Sequence, residues 1–269
     1  RLDWYPAEAR LFSGVDQPFI TAVAIAGSPT SSYMLTRYDK DLALIDQRKV
    51  VVSGETSKPV ALNVAGVHEC LVSRLTKTHA PLDFLEADMR YGLWLGRELD
   101  ETRLSDSLTS DRNGIPFLKG RHVFPFQVAR DEVLLIDPNK REVPRTVREE
   151  RLAWRDVSRP NQRRRMHVAL VPQGNITGNS LGVAFFRYAP SDSIRVLMAV
   201  MNSMVFELQV RTHLATTHVS QGILRMCSIP LSSFEDTSVR NRILTLVDRR
   251  LASGKESPEL EIAVARAFE

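Results

Sequence analysis

The sequence predicts a mixed α+β chain with a strand-rich middle and a helical C-terminal third. Three observations predict it. Runs of β-branched and aromatic residues, broken by turn formers, recur through the first two thirds of the chain. Apolar residues then recur at threes and fours beyond Pro190. The composition, 43% hydrophobic and 25% charged over 269 residues, is that of a globular chain able to bury one large core or two modest ones.

Taken in order, residues 18–38 hold two apolar stretches around Gly27-Ser28-Pro29-Thr30, a strand, turn, strand pattern, and Lys49–Ser53 adds a short strand. From Pro59 the spacing becomes helical through Val64, Val67, Leu71 and Leu75, and Leu82, Phe84 and Leu85 predict another short helix. The polar stretch Glu98–Pro116 reads as an exposed linker. The divisions are therefore strands over residues 1–58, a helical connector and linker over 59–115, and a C-terminal domain over 116–269. Within that domain Val123–Val128, Glu132–Ile136, Met166–Val171 and Leu181–Phe186 read as strands.

Pro190-Ser191-Asp192 opens a helix whose apolar face, Ile194, Leu197, Met198, Met201, Val205 and Leu208, continues for about four turns. Further helices are predicted near Ser232 and near Ser257, where Ser-Pro-Glu supplies a cap followed by proline at the first helical position.

The net charge of +4 is unevenly spread. Between Lys140 and Arg165 ten Lys and Arg residues face four acids, Glu142, Glu149, Glu150 and Asp156. That local excess favours a polyanionic partner, the competing reading being a solvated arginine-rich face. Cys70 and Cys227 are too few for a disulfide framework or a cysteine-based metal site, which points to a reducing, cytoplasmic setting. No apolar run reaches membrane-span length and no signal-peptide pattern opens the chain. Arg1 and Glu269 both stand inside continuing patterns, so a fragment is expected.

Catalytic signatures are missing. There is no phosphate-binding loop, dinucleotide fingerprint or His-Glu-x-x-His, and His213 and His218 are five apart rather than on one helix face. Asp137-Pro138-Asn139-Lys140 echoes an Asn/Asp-Pro-Pro-aromatic loop but lacks the second proline and the aromatic, and reads as a turn. Neither a catalytic nor a metal site is predicted.

Several segments, in order, resemble the region that follows the catalytic domain in type II and type IIG restriction-modification adenine methyltransferases. Leu11-Phe12 with Gln17-Pro18-Phe19 is similar to the last catalytic-domain strands. Gly96-Arg97-Glu98-Leu99-Asp100-Glu101-Thr102 and then Phe117-Leu118-Lys119-Gly120-Arg121-His122 resemble the opening of the target-recognition domain. Ala153 to Arg159, Gln162 to Met166, Val171-Pro172-Gln173-Gly174-Asn175 and Gly178-Asn179-Ser180 follow the family's order, with Arg165-Met166 where Arg-Thr is usual. Met201-Asn202-Ser203, Arg211, His218 and Ile229-Pro230-Leu231 resemble the closing helix, and Glu259 to Ala265 the C-terminal helix.

The resemblance implies a target-recognition fragment that binds double-stranded DNA and works with a methyltransferase catalytic domain. S-adenosylmethionine would bind in that other domain, no cofactor in this chain, and the chain alone is expected to be inactive. Basic and amide side chains on loops suit phosphate contact and base-edge pairing. The candidates are Lys119, Arg121, His122, Arg155, Arg159, Asn161, Gln162, Arg163, Arg164, Arg165, Asn175, Asn179 and Ser180. Asn202 and Ser203, within an apolar helix, are expected to make internal hydrogen bonds, and Trp94 and Trp154 to pack. Two alternatives stay open: a nuclease or hydrolase with an acidic metal site drawing on Asp100, Glu101, Asp131 and Glu132, or a basic protein-interaction scaffold.

Overall fold

A computed structural model describes residues 1–15, 17–27, 31–51, 66–159, 162–214 and 216–269. The chain divides into two compact units, residues 1–74 with 211–217, and residues 75–210 with 218–269.

In the first unit β1 (Leu2–Tyr5), β2 (Phe19–Ala22), β3 (Ser32–Tyr38) and β4 (Leu44–Val51) form one sheet in the order β2-β1-β3-β4. The predicted strands β2 and β3 are present, but β1 lies between them, antiparallel to β2 and parallel to β3. Cross-strand packing explains this: Leu2 faces the buried Leu35, and Tyr5 stacks on Tyr38 with ring centroids 4.9 Å apart. Helical spacing after Pro59 appears as α1 (Gly66–Thr78), with Val64 outside the described residues.

Along the rest of the chain come β5 (Ala80–Pro81), α2 (Phe84–Ala87), β6 (Leu93–Gly96), β7 (Leu108–Thr109), β8 (Ile115–Leu118), β9 (Val123–Phe124), β10 (Gln127–Val128) and β11 (Leu134–Ile136). Then follow β12 (Arg151–Arg155), β13 (Val168–Val171), β14 (Ile176–Thr177), β15 (Leu181–Phe186), α3 (Ser193–Asn202) and α4 (Met204–His213). The chain ends with α5 (Gln221–Met226), β16 (Ser228–Ile229), α6 (Ser232–Glu235), α7 (Thr237–Ser253) and α8 (Pro258–Ala267). The class is α+β, as predicted.

Two four-stranded sheets, β13-β12-β15-β6 and β14-β8-β11-β7, organise the second unit. Leu152, Ala153 and Trp154 on β12 are all fully buried, and successive strand residues point to opposite faces, so the first of these sheets is covered on both. Leu118, Val123, Ala153, Ala169 and Leu181 form one apolar cluster, while α3 packs on the same sheet. Trp154 stands opposite Gly182, whose bare Cα makes room for the indole: a Cβ there would lie 2.0 Å from the ring. A second cluster, Leu104, Phe117, Ile136, Val147 and Ile176, fills the other sheet.

The polar stretch expected as a linker is built into this unit, because Leu104 and Ser107 are buried and β7 pairs with β11. The long helix expected after Pro190 is two helices bent by 63°. Ser203 causes the break: it is extended at φ −72° and ψ 155°, and its Oγ accepts the Phe206 N–H at 3.2 Å as the N-cap of α4. The predicted C-terminal helix begins as expected, with Ser257 Oγ accepting the Leu260 N–H at 3.3 Å and Pro258 in first position.

Candidate nucleic-acid interface

Three sequence-distant segments meet beside β8 and β14. Gly120 N donates to Ser180 Oγ at 2.9 Å, Asn179 Nδ2 donates to Asp100 Oδ1 at 3.0 Å, and Lys119 Nζ pairs with Glu101. Lys119, Arg121, His122, Asn179 and Ser180, drawn from separate motifs, are thereby brought together. His122 is buried at the base of this turn, its Nδ1 accepting the Lys119 N–H at 3.0 Å. Burial, with Arg121 and Lys119 nearby, holds its imidazole below the ordinary histidine range. Arg121 is exposed and donates to the Glu132 carbonyl at 3.2 Å.

A buried charge pair holds these segments in place. The side chains of Arg151 and Glu98 are 0% and 1% exposed, with Nε to Oε1 at 2.6 Å and Nη2 to Oε2 at 2.9 Å. Glu98 also accepts Thr146 Oγ1 at 2.6 Å, Thr177 N at 2.7 Å and Thr177 Oγ1 at 2.9 Å. Arg151 reaches the Asn175 carbonyl in addition. Such a pair is tolerated inside because nearly every donor and acceptor is engaged. Asn175, a candidate contact, is itself buried, with Nδ2 donating to the Pro172 carbonyl at 3.0 Å and the Gln173 carbonyl at 3.2 Å.

The arginine-rich segment separates into two populations. Arg155 is spent on backbone carbonyls, Gly120 O at 2.9 Å and Val123 O at 2.7 Å, and lies over the Phe124 ring. Arg164 joins the Asn202 carbonyl and Glu261, the latter at 2.7 Å. Arg165 is buried, and the buried Glu207 on α4 accepts the N–H groups of Arg165 and Met166, both at 2.8 Å. Arg159 and Arg163, by contrast, are exposed on the loop that leaves β12. Gln162 is half-buried there; its Oε1 accepts Ser158 Oγ at 2.6 Å and its backbone N–H closes a turn on Arg159 O at 3.1 Å. Asn161 lies outside the described residues.

The root of that loop holds residues not among the predicted site. Asp156 is buried, and its Oδ2 takes both His218 Nδ1 at 2.8 Å and Arg97 Nη2 at 3.0 Å. Backbone bonds fix the arrangement, Val219 N to Asp156 O at 2.7 Å and Asp156 N to Ser180 O at 3.0 Å. The sequence offered a signal, since Arg97, Asp156 and His218 each fall inside a quoted motif, but nothing in their spacing joins them. Asn202 and Ser203 make the internal bonds expected: Asn202 pairs both ways with the Val168 backbone, at 3.2 and 2.9 Å. Trp154 packs inside and donates to the Val219 carbonyl at 3.0 Å, and Trp94 packs on Phe185.

Among the described residues no group of three or more His, Cys, Asp or Glu is placed to hold a metal ion. Asp100 and Glu101 are engaged with Asn179 and Lys119, and Glu132 faces Arg121. Asp137 forms the expected turn, accepting the Asn139 N–H at 2.9 Å. Cys227 is fully buried, which pushes its thiol far above the usual range and leaves it inert. No single helix among the described residues is long and apolar enough to cross a membrane.

No family model matches the chain, and no curated protein matches it in sequence. In solved structures it is similar to the type IIL restriction-modification enzyme MmeI, determined in complex with DNA, with a TM-score of 0.52 and 11% identity over 90% of this chain. The likeness is one of fold. The type IIG restriction endonuclease BpuSI matches over 100% of the chain with a TM-score of 0.49 and 12% identity. The chain spans 39% of the length of the first and 42% of the second.

Proposed function

We propose that this chain is a DNA-binding, target-recognition part of a restriction-modification adenine methyltransferase, which lays its exposed loops on duplex DNA and leaves methyl transfer to another domain. The observation that carries the reading is the loop after β12, where Arg159 and Arg163 are exposed beside a root held by backbone bonds from Asp156 to Ser180 and Val219. The fold likeness to a restriction-modification enzyme and the ordered motif resemblance support it. On this reading the exposed arginines, with Lys119, Arg121 and Asn179 beside the turn after β8, contact phosphates or base edges. Each well-formed bidentate base contact contributes about 1–3 kcal/mol of discrimination. The inward Arg155, Arg164, Arg165 and Asn175 hold the loops that do so. S-adenosylmethionine belongs to the catalytic domain on this reading, and the working enzyme acts where DNA is, in the cytoplasm.

Selection of bound DNA from a randomised duplex library tests this. Enrichment of one short adenine-containing motif is the expected outcome. Binding without enrichment reduces the chain to a general DNA clamp, and absence of binding at low salt overturns the reading.

A further inference from the structure

A cavity of about 540 Å³ opens between the β9–β10 turn, α8 and the break that separates α3 from α4. Only Pro125 and Phe126 join β9 to β10, with Phe124 opposite Gln127. Proline fixes a negative φ at the first of these positions, and Phe126 follows with φ +64°, the order of a type II turn. Glycine ordinarily takes that second position, because a larger residue is strained there. Phe126 keeps the conformation, its N–H donating to the Val168 carbonyl at 2.8 Å, and its side chain lines the cavity. Leu260 and Val264 on α8 are buried and add apolar wall. The guanidinium of Arg250, on α7, stands over the Phe126 ring, 5.4 Å from its centroid. Arginine stays charged at any ordinary pH, and among the described residues this guanidinium meets no carboxylate. Of the two acids that line the cavity, Glu261 is taken by Arg164 at 2.7 Å and the Met204 N–H at 2.9 Å, while Glu256 is exposed.

From this geometry we propose that the cavity receives one unpaired nucleotide of a DNA strand, its base against the Phe124 and Phe126 side of the cavity and its phosphodiester on Arg250. The site rests on the DNA-binding reading and deepens it. A flat base suits aromatic and apolar walls, because every base has a π-face. Gln127, exposed beside the turn, offers a base edge both a donor and an acceptor, and Glu256 offers an acceptor. Charge selects the phosphate. One guanidinium beside one carboxylate suits the single negative charge of a phosphodiester and disfavours a polyphosphate. The cavity also lies between exposed cations along the chain: Arg121 is three residues before Phe124, and Arg163 immediately precedes the lining residue Arg164. A strand held by those cations passes beside the cavity.

The test measures affinity for a fully paired duplex, for the same duplex with one extra unpaired adenine nucleotide, and for one with an abasic unit in its place. The abasic unit keeps the interruption of the duplex and removes the base. Wild type is expected to prefer the unpaired adenine to the paired duplex by about tenfold, and the abasic unit should lose that preference. Phe124→Ala, Phe126→Gly and Arg250→Gln should each bring the preference below about threefold. Glycine at 126 suits the turn backbone, so its loss of preference is not a failure to fold. Arg249→Gln, an exposed neighbour on α7, should keep the preference. Wild type that binds duplex with no preference for the unpaired base overturns the site and leaves the DNA reading standing, as does a preference that Phe126→Gly and Arg250→Gln retain. Wild type that binds no DNA at low salt removes both. Adenosine monophosphate titrated alone separates the sources: binding lost in Arg250→Gln, with every DNA probe failing, would assign the cavity to a free nucleotide and overturn its role for a strand.

Discussion

Strand β12 and the loop that leaves it carry the same kind of residue and use it in opposite ways. On the strand and its flanks, Arg151, Arg155 and Arg164 meet Glu98, backbone carbonyls, Glu261 and the Asn202 carbonyl, and Arg165 is buried. On the loop Arg159 and Arg163 face solvent. The difference teaches that charge density along a chain does not measure charge offered to a partner. Arg151 and Arg164 find carboxylates on segments as distant as Glu98 and Glu261 once the chain folds.

The comparison can be broken first at its buried end. Arg151→Ala leaves Glu98 as an uncompensated interior charge and should cost about 3–5 kcal/mol, read from chemical denaturation. Glu98→Gln with Arg151→Met should recover most of that loss. If the single change is neutral, the pair does not anchor the loops. Next comes Arg164→Ala, which removes a charge-assisted bond to Glu261 and one to the Asn202 carbonyl; a loss of about 1.5–3 kcal/mol is expected, with the salt slope of DNA binding unchanged. The outward end should behave in reverse. Arg159→Ala/Arg163→Ala should move stability by no more than about 0.5 kcal/mol and lower the salt slope by about two units. An unchanged slope there would dissolve the distinction between the two populations.

A smaller effect concerns acid. His122 and His167 are both held below the ordinary histidine value, mainly by burial. The folded state therefore resists a proton that the unfolded chain accepts, so their contribution is present above about pH 6.5 and is lost as the pH falls through that range. Denaturation midpoints should decline between neutral pH and about pH 5, and His122→Gln should flatten part of that decline. A midpoint insensitive to pH over this range would place both imidazoles in contact with water.

Much of this was legible in sequence. Strands β2, β3, β11, β13 and β15 carry their β-branched and aromatic runs openly, and the Ser257-Pro258 start of α8 is written in its capping chemistry. The break at Ser203 was less so, because an apolar stripe continues across it and only the Asn202-Ser203 pair marks the site. Strand β12 was harder still: Arg-Leu-Ala-Trp-Arg carries an arginine at each end, and its central place depends on pairing with β13 and β15 and on Glu98 meeting Arg151. Candidate-site residues were chosen as residue types, since arginine, lysine and asparagine on turns suit DNA whatever the fold.

The sequence by itself determined the α+β class, most of the elements, the excess of cations in one segment and the lack of recognisable catalytic motifs, because periodicity, capping and composition are local properties. Tertiary structure alone decided which arginines are drawn into the interior and which stand exposed. It also decided that the Glu98–Pro116 stretch is built into the second unit, and that Arg97, Asp156 and His218 form one cluster. Each of those outcomes depends on distances between residues remote in the chain, and a hydrogen bond or ion pair exists only where folding brings its two ends within about 3 Å.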